Sequence, residues 1–231
     1  MLAIEGIDGT GKSTQARAVA SALEARGLEV VLTREPTDGP WGQKLRASAA
    51  QGRLSPEDEL RAFLEDRRQH VCELIRPSLE AGRVVITDRY YFSTVAYQGA
   101  RGFDPEDLLR QNEAIAVEPH LLVVMDLDPQ VSLARIGHRD GAGNAFETLT
   151  QLRRSREIFL AIRKPYLMRL DGQRPRDELE AEILFAFGRA ALDRLAKQPG
   201  LSALARLTAS LAVFGAGAAE RQPPLSANGS V

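Results

Sequence analysis

The sequence predicts an α/β protein built on a five-stranded parallel sheet flanked by helices. Short apolar runs alternate with longer amphipathic stretches over most of the chain, the rhythm of strand and covering helix. A glycine-rich segment follows the first apolar run at once and opens an amphipathic stretch, the turn by which such folds meet ligands at the carboxyl edge of the sheet. With 231 residues the chain is long enough to bury a substantial core.

The strands are expected at 2–5, 29–33, 84–87, 121–126 and 166–170. The helices are expected at 12–26, 41–50, 56–81, 105–116, 129–136, 148–163 and 176–197. Ser55-Pro56 and Asp104-Pro105 each place an N-cap before a proline at the first helical position, and Asp107 adds negative charge to the first turn of its helix. Gly27 and Gly82 stand where helices should stop.

After Pro199 the composition shifts. Residues 207–219 carry no charge, and the chain then runs through Gln222-Pro223-Pro224 to Val231. A membrane span needs about 20 apolar residues, so this stretch reads as an apolar terminal helix and a disordered tail, 199–231, beyond a main domain of 1–198.

Thirty basic against 31 acidic side chains leave a net charge of -1, which gives no reason to expect a nucleic-acid partner. The single cysteine, Cys72, cannot close an internal disulfide and reads as a small buried hydrophobe; the N-terminal Met-Leu-Ala-Ile-Glu-Gly has no basic and apolar leader. The expectation is a protein of the reducing cytoplasm, with no membrane partner. Only four basic residues are lysines and 26 are arginines. Coding bias produces such an excess as readily as phosphate binding does, so position must decide.

Gly6-Ile7-Asp8-Gly9-Thr10-Gly11-Lys12-Ser13 fits G-x-x-x-x-G-K-[ST], the P-loop of the P-loop NTPase fold, and Thr14 follows it on the helix. Its glycines let backbone N–H groups curl around phosphates at a helix N-terminus. Lys12, on a solvent-facing loop, can neutralise the donor phosphates while the Ser13 hydroxyl ligates Mg²⁺. Four further segments carry chemistry. Thr33-Arg34-Glu35-Pro36 follows the second strand, and Asp88-Arg89-Tyr90 follows the third, offering a carboxylate for Mg²⁺ and a guanidinium for a phosphate. Phe63 and Arg67 share a helix face, and Tyr97-Gln98 adds a ring and an amide. Taken singly, Phe63 fits ordinary core, Arg67 a solvated face and Asp88-Arg89 an ion pair at a strand end.

Taken together, GIDGTGKST (6–14), TREP (33–36), FLEDRRQHV (63–71), DRYYFSTVAYQG (88–99) and DLDP (126–129) resemble the thymidylate kinase family over residues 1 to 195. The resemblance implies phosphorylation of dTMP to dTDP with MgATP, for dTTP synthesis, by a homodimer. It implies that Phe63 stacks on thymine, Arg67 bonds the base edge, Gln98 lies beside the base, and Arg89 grips the acceptor phosphate. It places Asp8 at the sugar 3′-hydroxyl and Tyr97 against a 2′-hydroxyl, and adds Arg34 to the phosphate clamp. Residues 6–14 would bind ATP, with Asp88 and Ser13 organising Mg²⁺, partly through water.

The family carries a mobile lid, here residues 135–147. With no arginine between Gly6 and Lys12, the chain resembles members that supply a catalytic arginine from the lid. Arg135 and Arg139 are both candidates. The chain reads Ala145-Phe146-Glu147 where the family usually has an arginine near that glutamate, so Arg153, Arg154 or Arg156 could compensate. His70, His120 and His138 lack zinc-ligand spacing. Two other readings stand beside this one: another nucleoside monophosphate or deoxynucleoside kinase of the same fold, and a P-loop ATPase or switch that binds a partner.

Overall fold

The computed structural model describes residues 1–140 and 149–196. Five strands, β1 (Leu2–Glu5), β2 (Val30–Arg34), β3 (Val84–Asp88), β4 (Leu121–Asp126) and β5 (Leu167–Asp171), form one all-parallel sheet in the order β2-β3-β1-β4-β5. The flanking helices are α1 (Lys12–Glu24), α2 (Pro40–Gln51), α3 (Pro56–His70), α4 (Arg76–Glu80), α5 (Tyr91–Gly99), α6 (Pro105–Glu113), α7 (Pro129–Asp140), α8 (Leu149–Ala161) and α9 (Arg176–Ala196). Met1–Phe187 form one compact unit, which holds the sheet and every site residue discussed below. Gly188–Val231 form a second, described only for the end of α9; the expected tail at 199–231 lies outside the described residues.

Strand register sets the site. Asp88 is level with Ile4 of β1 and with Arg34 of β2, so the loops that follow these three strands leave from one edge. Every residue of β1 is buried, as is most of β4, which is why these strands read as continuous apolar runs without alternation. Beneath them Ile7, Ile75, Tyr91, Phe92, Leu152 and Phe159 build the main core cluster.

The caps behave as the sequence predicts. The Ser55 hydroxyl accepts the Asp58 N–H at 3.1 Å and the Asp104 carboxylate accepts the Glu106 N–H at 2.9 Å, each worth about 1 kcal/mol. The expected helix 56–81 is interrupted by a π turn, Val71–Ile75, in which the Arg76 N–H reaches the Val71 carbonyl. The next residue, Pro77, has no N–H to offer an α-helical ladder, and the wider turn accommodates it. Cys72 is exposed, contrary to expectation: Val71 and Ile75 form the buried edge of this turn, and Cys72 faces away from them.

Between β3 and residue 105 the apolar pattern predicts no helix, yet α5 lies there. Its sequence, YFSTVAYQG, mixes aromatic and β-branched residues of modest helix propensity and is buried at six of nine positions, so it lacks the broad polar face by which the other helices are read. Its N-cap, Tyr90, has no capping side chain. The cap comes from elsewhere: Glu5, the last residue of β1, accepts the N–H groups of Tyr90 at 2.8 Å and Ser93 at 3.0 Å.

Candidate active site

The phosphate loop spans the gap between β1 and α1. Gly6, Gly9 and Gly11 all have positive φ. A Cβ on Gly6 would collide with the Met125 carbonyl oxygen, and one on Gly9 would lie 2.8 Å from the Ser132 carbonyl oxygen, so the loop is pressed against β4 and α7. Ser132, a residue the sequence did not single out, donates its hydroxyl to the Asp8 carbonyl and fixes the loop from below. Thr10 does the same within the loop, donating to the Ile7 carbonyl at 2.9 Å.

Lys12, expected on a solvent-facing loop, is instead 5 % exposed as the first residue of α1. Its ammonium donates to the Ile7 carbonyl at 2.7 Å. Burial, and then the Arg89 charge, pull its pKa down to about 8, against the opposing pull of Asp8, Asp88 and Glu5. It lines a cavity of about 220 Å³ with Gly9, Gly11, Ser13, Thr14 and Arg135. The Ser13 hydroxyl donates to the Asp88 carboxylate, so two oxygen ligands of the kind a hard cation takes stand side by side. Among the described residues no cluster of three His, Cys, Asp or Glu could hold a metal alone. The pair fits a Mg²⁺ that brings most of its ligands with it as phosphate oxygens and water.

A second cavity, of about 290 Å³, is lined by Phe63, Arg67, Tyr97 and Gln98 together with Asp8 and Arg89. Asp8 and Arg89 also line the loop cavity, so the two spaces meet across this pair. Arg89 is the non-glycine residue with positive φ, 69°, among the described residues. This turns it back over the P-loop, where it is ion-paired with Asp8, donates to the Ser93 hydroxyl at 3.0 Å and lies 5.2 Å from the Tyr97 ring centre. Burial alone would lower its pKa, but Asp8 and then Tyr97 hold it raised, so it stays charged. Tyr97 donates its hydroxyl to Asp8 at 3.3 Å.

Arg67 is 1 % exposed, which removes the solvated-face reading. Its two terminal nitrogens are held by Asn112 and by Glu35 and Thr94, and its Nε has no partner among the described residues. Gln98 is likewise buried: its amide donates to Glu59 at 3.3 Å and its Oε1 has no partner among the described residues. The sequence assigned no role to Glu35, Glu59, Asp66, His70 or Asn112. Yet His70 lies 3.0 Å from Glu35, Asp66 accepts both the Thr37 N–H and hydroxyl, and the TREP loop is thereby fastened to α3. The i+3, i+4 and i+7 spacing of Asp66, Arg67 and His70 from Phe63 was the available signal.

Arg34 is not brought to this cavity. It is 61 % exposed, pairs with Asp38 at 2.9 Å, and lines a separate groove of about 510 Å³ toward α1 and the π turn. Arg135 of α7 reaches the loop, donating to the Gly172 carbonyl at 3.1 Å and the Gly9 carbonyl at 3.3 Å. The Arg139 side chain and the lid residues 141–147 lie outside the described residues. Arg156 is held by Asp126 at 2.6 and 2.9 Å, while Arg153 and Arg154 are exposed. No helix among the described residues is long and apolar enough to cross a membrane.

Comparison with known proteins points to one family. The thymidylate kinase family model matches residues 4–183. A thymidylate kinase of Xanthomonas campestris pv. campestris (strain B100) is 48% identical over 195 residues, 84% of this chain and 86% of the relative. One from Xylella fastidiosa (strain 9a5c) is 52% identical over 71% of this chain and 79% of its own, and one from Akkermansia muciniphila is 46% identical over 79% and 88%.

Proposed function

The chain belongs to the thymidylate kinase family, and from that premise we propose how its two adjoining cavities transfer the terminal phosphoryl group of ATP to dTMP. The observation that carries the reading is the sharing of Asp8 and Arg89 between the phosphate-loop cavity and the one lined by Phe63. A donor phosphate in one and an acceptor phosphate in the other meet at the Arg89 guanidinium.

A nucleotide monophosphate has a second pKa of about 6, so near pH 7 the acceptor is already mostly a dianion and needs no general base. The task is to hold two mutually repelling phosphates in line and to neutralise the charge in flight. Lys12 and Arg89 supply fixed positive charge, with Arg135 or Arg139 as the third cation. Ser13 and Asp88 would hold a Mg²⁺ arriving with ATP, whose charge screens the donor oxygens. Asp8 takes the 3′-hydroxyl, and Tyr97 beside it crowds the place of a 2′-hydroxyl.

Base choice follows from what the cavity leaves unsatisfied. Arg67 Nε is a buried donor and Gln98 Oε1 a buried acceptor, each without a partner. Thymine offers a C4 carbonyl and an N3–H in complement, with Phe63 for its face; cytosine reverses both groups and sets donor against donor. Arg34, paired with Asp38 outside the cavity, has the weakest support as a clamp residue. We extend the proposal to a homodimer in a reducing cytoplasm, where the exposed thiol of Cys72 would stay reduced.

The test is ADP formation with dTMP, dUMP, UMP, CMP and thymidine offered separately. Turnover should be highest with dTMP and absent with thymidine. Equal turnover with CMP, or ATP hydrolysis indifferent to any acceptor, would remove the reading.

A further inference from the structure

Glu5 stands immediately before the phosphate loop and is 0 % exposed. A carboxylate so placed is costly unless it is fully used, and burial raises its carboxyl to about 7 against the pull of Ser93, Arg89 and Tyr90. Its Oε1 accepts the N–H groups of Tyr90 and Ser93, and its Oε2 accepts the Ser93 hydroxyl at 2.6 Å. The Ser93 oxygen in turn accepts from Arg89 Nη1 at 3.0 Å.

We propose that Glu5 is a positioning residue for the acceptor clamp, acting through the Ser93 hydroxyl to fix the direction of the Arg89 guanidinium. The proposal rests on the reading that Arg89 grips the acceptor phosphate. A serine hydroxyl has one proton, and whichever group takes it decides where the lone pairs point. Glu5 takes that proton, so the oxygen presents lone pairs to Arg89. Asp8 holds the other terminal nitrogen, and the guanidinium is fixed at two points, one on the P-loop and one on α5. Glu5 also caps α5, the helix that carries Tyr97 and Gln98, so the strand feeding the donor loop sets the acceptor side as well.

Glu5→Gln retains size and a carbonyl oxygen for the two N–H groups, but its amide turns a donor toward Ser93. The hydroxyl proton then loses its acceptor and must turn elsewhere, and the lone pair offered to Arg89 loses its fixed direction. Steady-state kinetics on Glu5→Gln, Ser93→Ala and the double variant should show the KM for dTMP raised about tenfold or more, with the KM for ATP changed less than about twofold. The double variant should be no worse than the worse single, because both act through one contact. Both KM values unchanged beside a lower melting temperature would make Glu5 a helix cap and nothing more, overturning the proposal. Multiplying effects in the double variant would overturn it too. Arg89→Ala is the control: if the KM for dTMP does not rise there, the underlying assignment of Arg89 fails first. Should Glu5→Gln fail to fold, Ser93→Ala alone carries the test, and an unchanged KM for dTMP in it overturns the proposal.

Discussion

Arg67 and Glu35 form an ion pair in the interior, with side chains 1 % and 4 % exposed, and the pair decides which edge of the guanidinium is left for a ligand. Glu35 and Asn112 hold the terminal nitrogens, so Nε alone is without a partner. Burial by itself raises the Glu35 carboxyl, but Arg67 and His70 more than reverse this, and its pKa lies below the ordinary 4.5. A depressed carboxyl contributes stability that is present above 4.5 and is lost as pH falls through the lower folded value. Glu35→Gln should cost about 3–5 kcal/mol at pH 7 by leaving Arg67 an uncompensated charge. Thermal unfolding from pH 3 to pH 7 should show a melting temperature roughly 10 °C lower at pH 7, with a shallower decline toward acid. Equal curves would mean that the pair contributes nothing.

Phe63 belongs to the same helix face but is only partly buried, and it lines the cavity without closing it. Stacking of a base on an aromatic ring is worth about 1–3 kcal/mol, so Phe63→Ala should raise the KM for dTMP roughly 5- to 150-fold. The KM for ATP should stay within about twofold. Equal rises in both would place Phe63 in the core and out of the site.

The difference between Phe63 and Arg67 shows what the sequence could and could not reveal. The P-loop was legible because its glycines, lysine and serine must occur at fixed spacing, and the strands because parallel sheets bury continuous apolar runs. Phe63 and Arg67 were legible as neighbours on a helix, but the burial of Arg67 was not, since its partners Glu35 and Asn112 lie 32 and 45 residues away. Helix α5 escaped for a related reason. Its cap, Glu5, is 85 residues from Tyr90, and local propensity holds no trace of a cap supplied by another strand. Cys72 was misplaced because it was read from the usual burial of cysteine and not from its helix face; the π turn moves the buried position from Leu74 to Ile75 and leaves Cys72 exposed on either count.

Lys12 provides a pH test of the donor side. With its pKa pulled to about 8, the free protein begins to lose this charge just above neutrality. Since kcat/KM reports the free enzyme, kcat/KM for ATP should fall about tenfold per unit above pH 8. Bound phosphates restore the charge, so the corresponding limb in kcat should lie at higher pH. Lys12→Ala should lower turnover by orders of magnitude without lowering the melting temperature, because it removes a buried charge and no packing anchor. A flat kcat/KM profile from pH 7 to pH 9.5, or near-normal turnover in the variant, would separate Lys12 from catalysis.

Arg135 lies against the phosphate loop, in the cavity where the proposal puts the donor phosphates. Its guanidinium rests on two carbonyls, those of Gly9 and Gly172, and lines the cavity that holds Lys12 and Ser13. Neutral carbonyls make weaker partners for a guanidinium than phosphate oxygens do, so an incoming donor nucleotide can draw Arg135 off them at little cost. Arg156 is differently placed: its bidentate pairing with the Asp126 carboxylate raises its pKa and ties it to the end of β4. Arg135→Ala should therefore lower kcat about 100-fold or more while the KM for dTMP changes little, the pattern of a group that matters most in the transition state. Arg156→Ala should change kcat by less than about tenfold and act chiefly on melting temperature. Single-turnover rates of phosphoryl transfer in the two variants separate chemistry from product release, and a larger loss in Arg156→Ala than in Arg135→Ala would reverse the assignment.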